Sequence, residues 1–202
     1  MRYKRPVFVV ALCVLGPLLA EATVVLPLDF RQLTGKATAI ARGRVVALTP
    51  QWAINGRGIE TIVTVQVANY LKGDFGPQMT FRVPGGKMGR FRAVTVGAPV
   101  FREGEEVIVF LGADGPAIPH IVGFNQGVYR VAVDRASGVR VVTPPLLSSD
   151  VTAPTPIVRG DPSRRPMPLQ QFEARVRSML QPDRVDRGSR GSGIRNINKR
   201  PR

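Results

Sequence analysis

The sequence predicts a mainly β fold, a small antiparallel OB-like barrel or sandwich with a short N-terminal helix and a C-terminal helix. Three observations lead there. Gly (21) and Pro (18) are plentiful among 202 residues, which suits short strands and tight turns better than a helical bundle. Valine dominates the middle of the chain, and its branched Cβ fits a pleated sheet. Apolar runs and turn signals alternate about every eight to twelve residues, the spacing of antiparallel barrels and sandwiches. Aromatic content is only 6%, so the core leans on Val, Ile and Leu.

Taken in order, residues 1–22 read as a secretory signal peptide. Arg2, Lys4 and Arg5 form a positive n-region, an apolar run follows over 7–20, and Ala20 and Ala22 place small side chains where a signal peptidase cuts. The competing reading, a retained anchor, is opposed by Pro17 and by a run shorter than the roughly 20 residues of a bilayer span. No later segment is apolar enough to span, so no stable transmembrane anchor is expected after cleavage. Export to the periplasm or beyond is the expected localisation. The single cysteine, Cys13, lies in this segment behind Leu12, where a lipoprotein signal requires a small residue. The mature chain is then expected to carry no disulfide, although its compartment permits them.

A β-domain is expected over 28–143. Leu28, Phe30, Leu33 and Ala37 recur at helical spacing and predict a short helix over 28–37. A strand follows at 39–49, then a connection at 50–58 with Asn55-Gly56 as its turn signal and Trp52 inside it. The clearest strand covers 59–71, where Val63, Val65 and Val67 alternate with Thr64 and Gln66. Further strands are expected at 78–83 and 90–96, with 84–90 as a glycine-rich hairpin tip between them. Residues 107–111, all apolar, read as a central strand buried on both faces. Strands at 118–124, 127–133 and 139–143 complete the domain, the last two joined by a turn at 134–138. Residues 144–167 read as a Pro-rich linker. An amphipathic helix is expected over 168–180, with Leu169, Phe172, Val176, Met179 and Leu180 on one stripe and Glu173 facing Arg177. Residues 181–202 read as a disordered basic tail.

The formal net charge is +15, and it is uneven. Residues 159–202 hold 12 basic and four acidic side chains. Such a region can bind a polyanion by releasing counterions. It lacks interleaved aromatics for base stacking, and outside the cytoplasm an envelope polyanion is the expected partner rather than nucleic acid. A solvated tail without a dedicated partner is the simpler alternative.

Catalytic patterns are sparse. His120 is the only histidine, no serine sits in a Gly-x-Ser-x-Gly elbow, and no cysteine remains as a nucleophile. One His without Cys does not make a conventional zinc site, and no acidic run has EF-hand spacing. The densest carboxylates, Glu103, Glu105 and Glu106, flank Gly104 in an evident turn. A hydrolase built on His120 and this cluster is the weakest functional reading; no catalytic residue, metal or cofactor is assigned. Two features carry a binding reading. Gly85, Gly86, Lys87 and Arg90 combine exposed amides with cations, though without Walker spacing. Trp52, the sole tryptophan, either marks a contact surface or caps the open end of a barrel.

Several short stretches carry a resemblance: Gly43-Arg44-Val45, Tyr70-Leu71-Lys72-Gly73, Pro84-Gly85-Gly86, Val96-Gly97-Ala98-Pro99, the run Phe101-Arg102-Glu103-Gly104-Glu105-Glu106-Val107, and Val122-Gly123-Phe124-Asn125-Gln126-Gly127. Together they resemble an uncharacterised family of exported bacterial β-proteins over about half the chain. More distantly, a strand ending in Leu-Lys-Gly, a Gly-Glu turn and a Val-Phe-Leu strand are similar to netrin-like modules, including tissue inhibitors of metalloproteinases. That similarity implies a five-stranded OB-type barrel and protein binding. Those inhibitors chelate zinc through an N-terminal cysteine; here the expected mature N-terminus is Thr23, so zinc-directed inhibition is not carried over. The expectation is therefore an exported, non-enzymatic interaction module whose partner is an extracytoplasmic protein, with the envelope polyanion reading as its alternative.

Overall fold

The computed structural model describes residues 27–54, 56, 58–115, 118–145 and 165–181. The proposed signal segment, Asn55, most of the linker and nearly all of the basic tail lie outside them. The elements are α1 (Phe30–Lys36), β1 (Ala39–Trp52), β2 (Ile59–Lys72), β3 (Gln78–Pro84), β4 (Gly86–Met88), β5 (Phe91–Ala93), β6 (Glu106–Gly112), β7 (His120–Ile121), a 3-10 turn (Phe124–Gly127), β8 (Val128–Val133), β9 (Arg140–Thr143), β10 (Met167–Pro168) and α2 (Leu169–Leu180).

Strand pairing closes a circuit. β1 pairs with β2 and with β6, β2 with β3, β3 with β7, and β7 with β6. The result is a five-stranded OB-like barrel, from which β8, β9 and β10 extend as further strands beyond β6. The antiparallel expectation fails at one point: β3 and β7 run parallel, through Arg82 and His120. β1 serves two neighbours by bending. Its ladder with β2 shifts register at three places, between Ile40 and Ala41, Arg42 and Gly43, and Val45 and Ala47, and such bulges sharpen twist and turn a strand around a barrel. Gly43 sits in this bend, where a Cβ would overlap the Gln66 carbonyl and the Val65 side chain. Only glycine lets the two backbones approach so closely there.

The apolar run expected at 107–111 is buried on both faces and divides the interior in two. Val107, Val109 and Leu111 point into the barrel beside Val45, Val63, Val65, Met79, Phe81 and Phe101. Ile108 and Phe110 point outward under the helices, against Phe30, Leu33, Tyr129, Leu169, Phe172 and Val176. Each buried aliphatic or aromatic side chain of this kind contributes about 1.5–3 kcal/mol. The helix-side layer is built from rings: Phe30 meets Phe110 at 6.0 Å and Phe172 at 5.6 Å, and Tyr129 meets Phe172 at 4.8 Å between centroids.

The helices are fixed at their ends. Asp29 and Gln32 form a reciprocal capping box on α1, and the Lys72 ammonium donates to the Thr34 and Gly35 carbonyls at its far end. α2 is held by charge as well as by its apolar stripe. The Arg42 guanidinium donates to Glu106 at 2.7 Å and to Glu173 of α2 at 3.0 Å, while Arg140 and Arg177 flank the same two carboxylates at 3.5 and 3.2 Å. Burial alone would lower the Arg42 pKa, but its hydrogen bonds to Glu106 and Glu173 outweigh that and hold it above its ordinary value. The Glu173–Arg177 pair expected from sequence is thus present, inside a larger network. Met167 is not linker but part of β10, paired with Val142.

Candidate functional site

The barrel interior opens where β1 ends, β2 begins and β3 ends. Trp52 is the last residue of β1 rather than part of a loop, because β1 runs on through Pro50 to pair with Ile59. Beyond Val45 the strand is hydrogen-bonded in a ladder only with β2, so the missing N–H of Pro50 breaks no second ladder. Trp52 is 49% exposed and packs edge-on against Phe91, itself 47% exposed, at 5.6 Å. The Arg90 guanidinium lies over the Phe91 ring at 5.0 Å, a cation–π contact.

The 84–90 segment is not a free tip. Gly86–Met88 pairs antiparallel with Phe91–Ala93, so the hairpin turns at Gly89 and Arg90 and the strand expected over 90–96 is only three residues long. Gly85 and Gly86 have φ of 96° and 151°, values that side chains rarely adopt. A Cβ on Gly86 would also come within 2.6 Å of the Thr61 hydroxyl. The two glycines fold the hairpin back over the barrel mouth, where Thr61 donates to the Gly85 carbonyl at 2.8 Å.

Between the hairpin and the barrel lies a groove of about 360 Å³. Leu48, Val63, Val83 and Phe101 line it from the barrel, and Lys87, Arg92 and Val94 from the hairpin and the strand exit. Six of the eleven exposed large apolar side chains among the described residues lie in two stretches of sequence that adjoin the groove, Trp52 and Ile54 in one and Phe91, Val94, Val96 and Val100 in the other, and Val94 and Val100 line it. The charged side chains that line the groove, Lys87 and Arg92, have one sign. Between Asp74 and Glu103 the sequence has no acidic residue, but it carries Arg82, Lys87, Arg90, Arg92 and Arg102. Lys87 and Arg92 stand directly opposite each other across the hairpin, both are exposed, and neither meets a carboxylate among the described residues.

A second depression of about 250 Å³ shares Val83, Pro84 and Pro99 with the groove and adds Glu60, Arg82, His120, Ile121 and Phe124. Glu60 is buried and accepts from the Gln51 amide at 2.8 Å. Phe124 is the only non-glycine residue with positive φ among those described, at 55°. It follows Gly123, itself left-handed, and together they end the strand expected over 118–124 after two residues.

The Glu103–Glu106 cluster does not meet His120. Glu106 begins β6 and His120 pairs with Gly112 at its end, about 20 Å away at the rise of a strand. Glu105 receives the Arg102 amide at 3.0 Å and faces Arg130 at 3.5 Å, and Glu106 serves the Arg42 network. His120 faces the exposed carboxylate of Asp114 at 3.8 Å. Among the described residues, no three His, Cys, Asp or Glu side chains are grouped to hold a metal, and no helix is long and apolar enough to cross a membrane.

Of the sequence candidates, Trp52, Gly85, Gly86, Lys87 and Arg90 all fall at this one mouth. Phe91 and Arg92 were missed. The signal that could have found them is the absence of acidic residues over 75–102, which a total of the whole chain conceals. Fold and groove define a small OB-like barrel with an open, cationic and apolar mouth. Comparison with protein-family models, curated proteins and solved structures gives no match.

Proposed function

We propose that the chain is an exported, non-enzymatic interaction module that engages an extracytoplasmic protein through the barrel mouth. One observation carries this reading: an exposed Trp52–Phe91–Arg90 cluster stands beside an apolar groove whose rim is basic and free of carboxylates. Aromatic and arginine side chains around a desolvatable pocket are the composition of binding hot spots. The resemblance to netrin-like modules points the same way. The test compares wild type with Trp52→Ala and Phe91→Ala, immobilised and exposed to native envelope proteins. A captured protein is expected to shift the Trp52 emission and to be lost from both variants while their unfolding midpoints stay near wild type. Capture that persists in both variants, with unmoved emission, overturns the assignment of the mouth.

A second reading rests on a different observation, the 12 basic against four acidic residues over 159–202. Here the chain binds an envelope polyanion through its basic region. Truncation after Gln181 is then expected to abolish salt-dependent retention on an anionic polysaccharide matrix, since each lost phosphate- or sulfate-type contact removes released counterions. Unchanged retention rejects it.

A further inference from the structure

Within the reading of the mouth as a binding surface, the pairing across its hairpin says more about the partner. Directly opposed side chains of an antiparallel pair have Cβ atoms about 4.5–5.5 Å apart, and like charges placed so destabilise the pairing. Lys87 and Arg92 occupy such a position. A carboxylate on a neighbouring strand would relieve the repulsion, as Glu106 and Glu173 do for Arg42, Arg140 and Arg177 on the helix side. None is within ion-pair distance among the described residues.

We propose that the groove binds an extended polypeptide segment in which an Asp or Glu side chain sits between Lys87 and Arg92. A neighbouring aliphatic or aromatic side chain of that segment enters the floor formed by Leu48, Val63, Val83 and Phe101. Charge complementarity selects the carboxylate. The apolar floor selects the neighbour, because a free inorganic anion has nothing to bury there. The open form of the site and its backbone select a polypeptide. At about 360 Å³ the groove is near the lower limit for enclosing a small molecule, about 300 Å³, but it accepts one or two side chains of a chain passing across it. The β4–β5 hairpin is a separate two-stranded sheet, so among the described residues each of its outer edges lacks a strand partner. Such an edge offers amide and carbonyl groups to an added strand, a use that a lipid headgroup does not have.

The probe is a library of random linear peptides selected against the immobilised full chain, followed by titration of individual synthetic peptides against Trp52 emission. Selection is expected to enrich Asp or Glu next to Leu, Ile or Phe. The double variant Lys87→Glu/Arg92→Glu is expected to bind those peptides at least about tenfold more weakly, the loss of one charged hydrogen bond or more, and to enrich Lys or Arg in a fresh selection. Arg135→Glu, an equal change in kind at an exposed turn far along the sequence, is expected to leave binding unchanged. Lys87→Gln/Arg92→Gln serves if the reversed variant does not fold, with weakening but no charge switch expected. Peptides that shift Trp52 without acidic preference, or that bind both charge variants like wild type, overturn this inference and leave the mouth as a binding surface. Anionic phosphatidylglycerol vesicles shifting Trp52 where peptides do not overturn it in favour of a membrane. No Trp52 response to any probe overturns both readings.

Discussion

The helix-covered flank and the open mouth use the same residue types in opposite ways. On the flank, Phe30, Phe110, Tyr129 and Phe172 are buried ring against ring, and Arg42 lies between Glu106 and Glu173. At the mouth, Trp52 and Phe91 meet edge-on but stay about half exposed, and Lys87 faces Arg92 without a carboxylate. The two regions share one barrel and are joined through β1, whose first half lies under the helices and whose last residue is Trp52. The difference teaches how to separate stability from recognition in this chain. Where aromatics and cations are matched within the molecule, they hold the fold. Where they are left unmatched, substitution should hardly touch the fold and should instead affect what the fold binds.

The largest expected effect tests the first half of that contrast. Phe172→Ala empties a fully buried position against the Phe30 and Tyr129 rings and should destabilise the chain by about 3–5 kcal/mol, read as the shift in urea midpoint. Phe91→Ala, an exposed ring that loses its edge contact with Trp52 and the Arg90 cation over its face, should cost no more than about 1 kcal/mol. Equal losses would break the contrast. Next comes Arg42→Met, which leaves Glu106 and Glu173 without their shared cation. Breaking a fully buried pair costs about 3–5 kcal/mol, and the partial exposure of these groups should reduce that to about 2. The sign with pH follows from the raised Arg42 pKa. A raised folded value gives stability that is present below the unfolded value and lost only as pH rises through the folded one. The difference between wild type and Arg42→Met should therefore stay level from roughly pH 7 to pH 10, far below the arginine range. A difference that vanishes within that window would show that its source is a group titrating there and not the Arg42 cation.

How much of this was legible in the sequence follows the same division. Residues 107–111 were readable because a run without a polar break has only one use in a sheet, burial on both faces, and the two cores on either side of β6 are that use. Val63 and Val65 were readable from period two, and the α2 stripe from period 3.6. The mouth was harder. Trp52 looked like loop because Pro50 usually ends a strand, and only the pairing partners show that β1 has a free side there. The short hairpin is not legible because Gly85, Gly86 and Gly89 signal a turn equally well with or without a partner strand. The break after Ile121 depends on left-handed Gly123 and Phe124, and a phenylalanine in that conformation carries no local signal. The network that docks α2 joins residues 42, 106, 140 and 173, a juxtaposition made only by the fold. Gathering the candidate residues at one mouth is likewise a product of topology.

Smaller effects sharpen the contrast at the joints between the regions. A Cβ on Gly127 would overlap the Val122 carbonyl and come within 2.8 Å of the Ile121 side chain. Because the obstacle is backbone at the edge of the core, Gly127→Ala should cost about 1–3 kcal/mol, measured by urea unfolding. Gly89 lies at the hairpin turn with open space around it but φ of 57°. Gly89→Ala should cost only about 1 kcal/mol, the penalty for a side chain in the left-handed region. If Gly127→Ala is the milder of the two, close packing does not extend from the flank to the 3-10 turn.

The smallest expected change has the most informative sign. Lys87→Glu turns the Lys87–Arg92 repulsion into an attraction between directly opposed charges, so the chain should become more stable by about 0.2–1 kcal/mol. The same substitution should weaken any acidic peptide selected on the wild type. A stability gain with a binding loss is the signature of a residue kept for a partner rather than for the fold. Two measurements on one variant therefore decide the matter, a urea midpoint and a Trp52 titration. If Lys87→Glu lowers the midpoint, the two cations are already relieved within the chain, and the mouth is matched after all, like the flank.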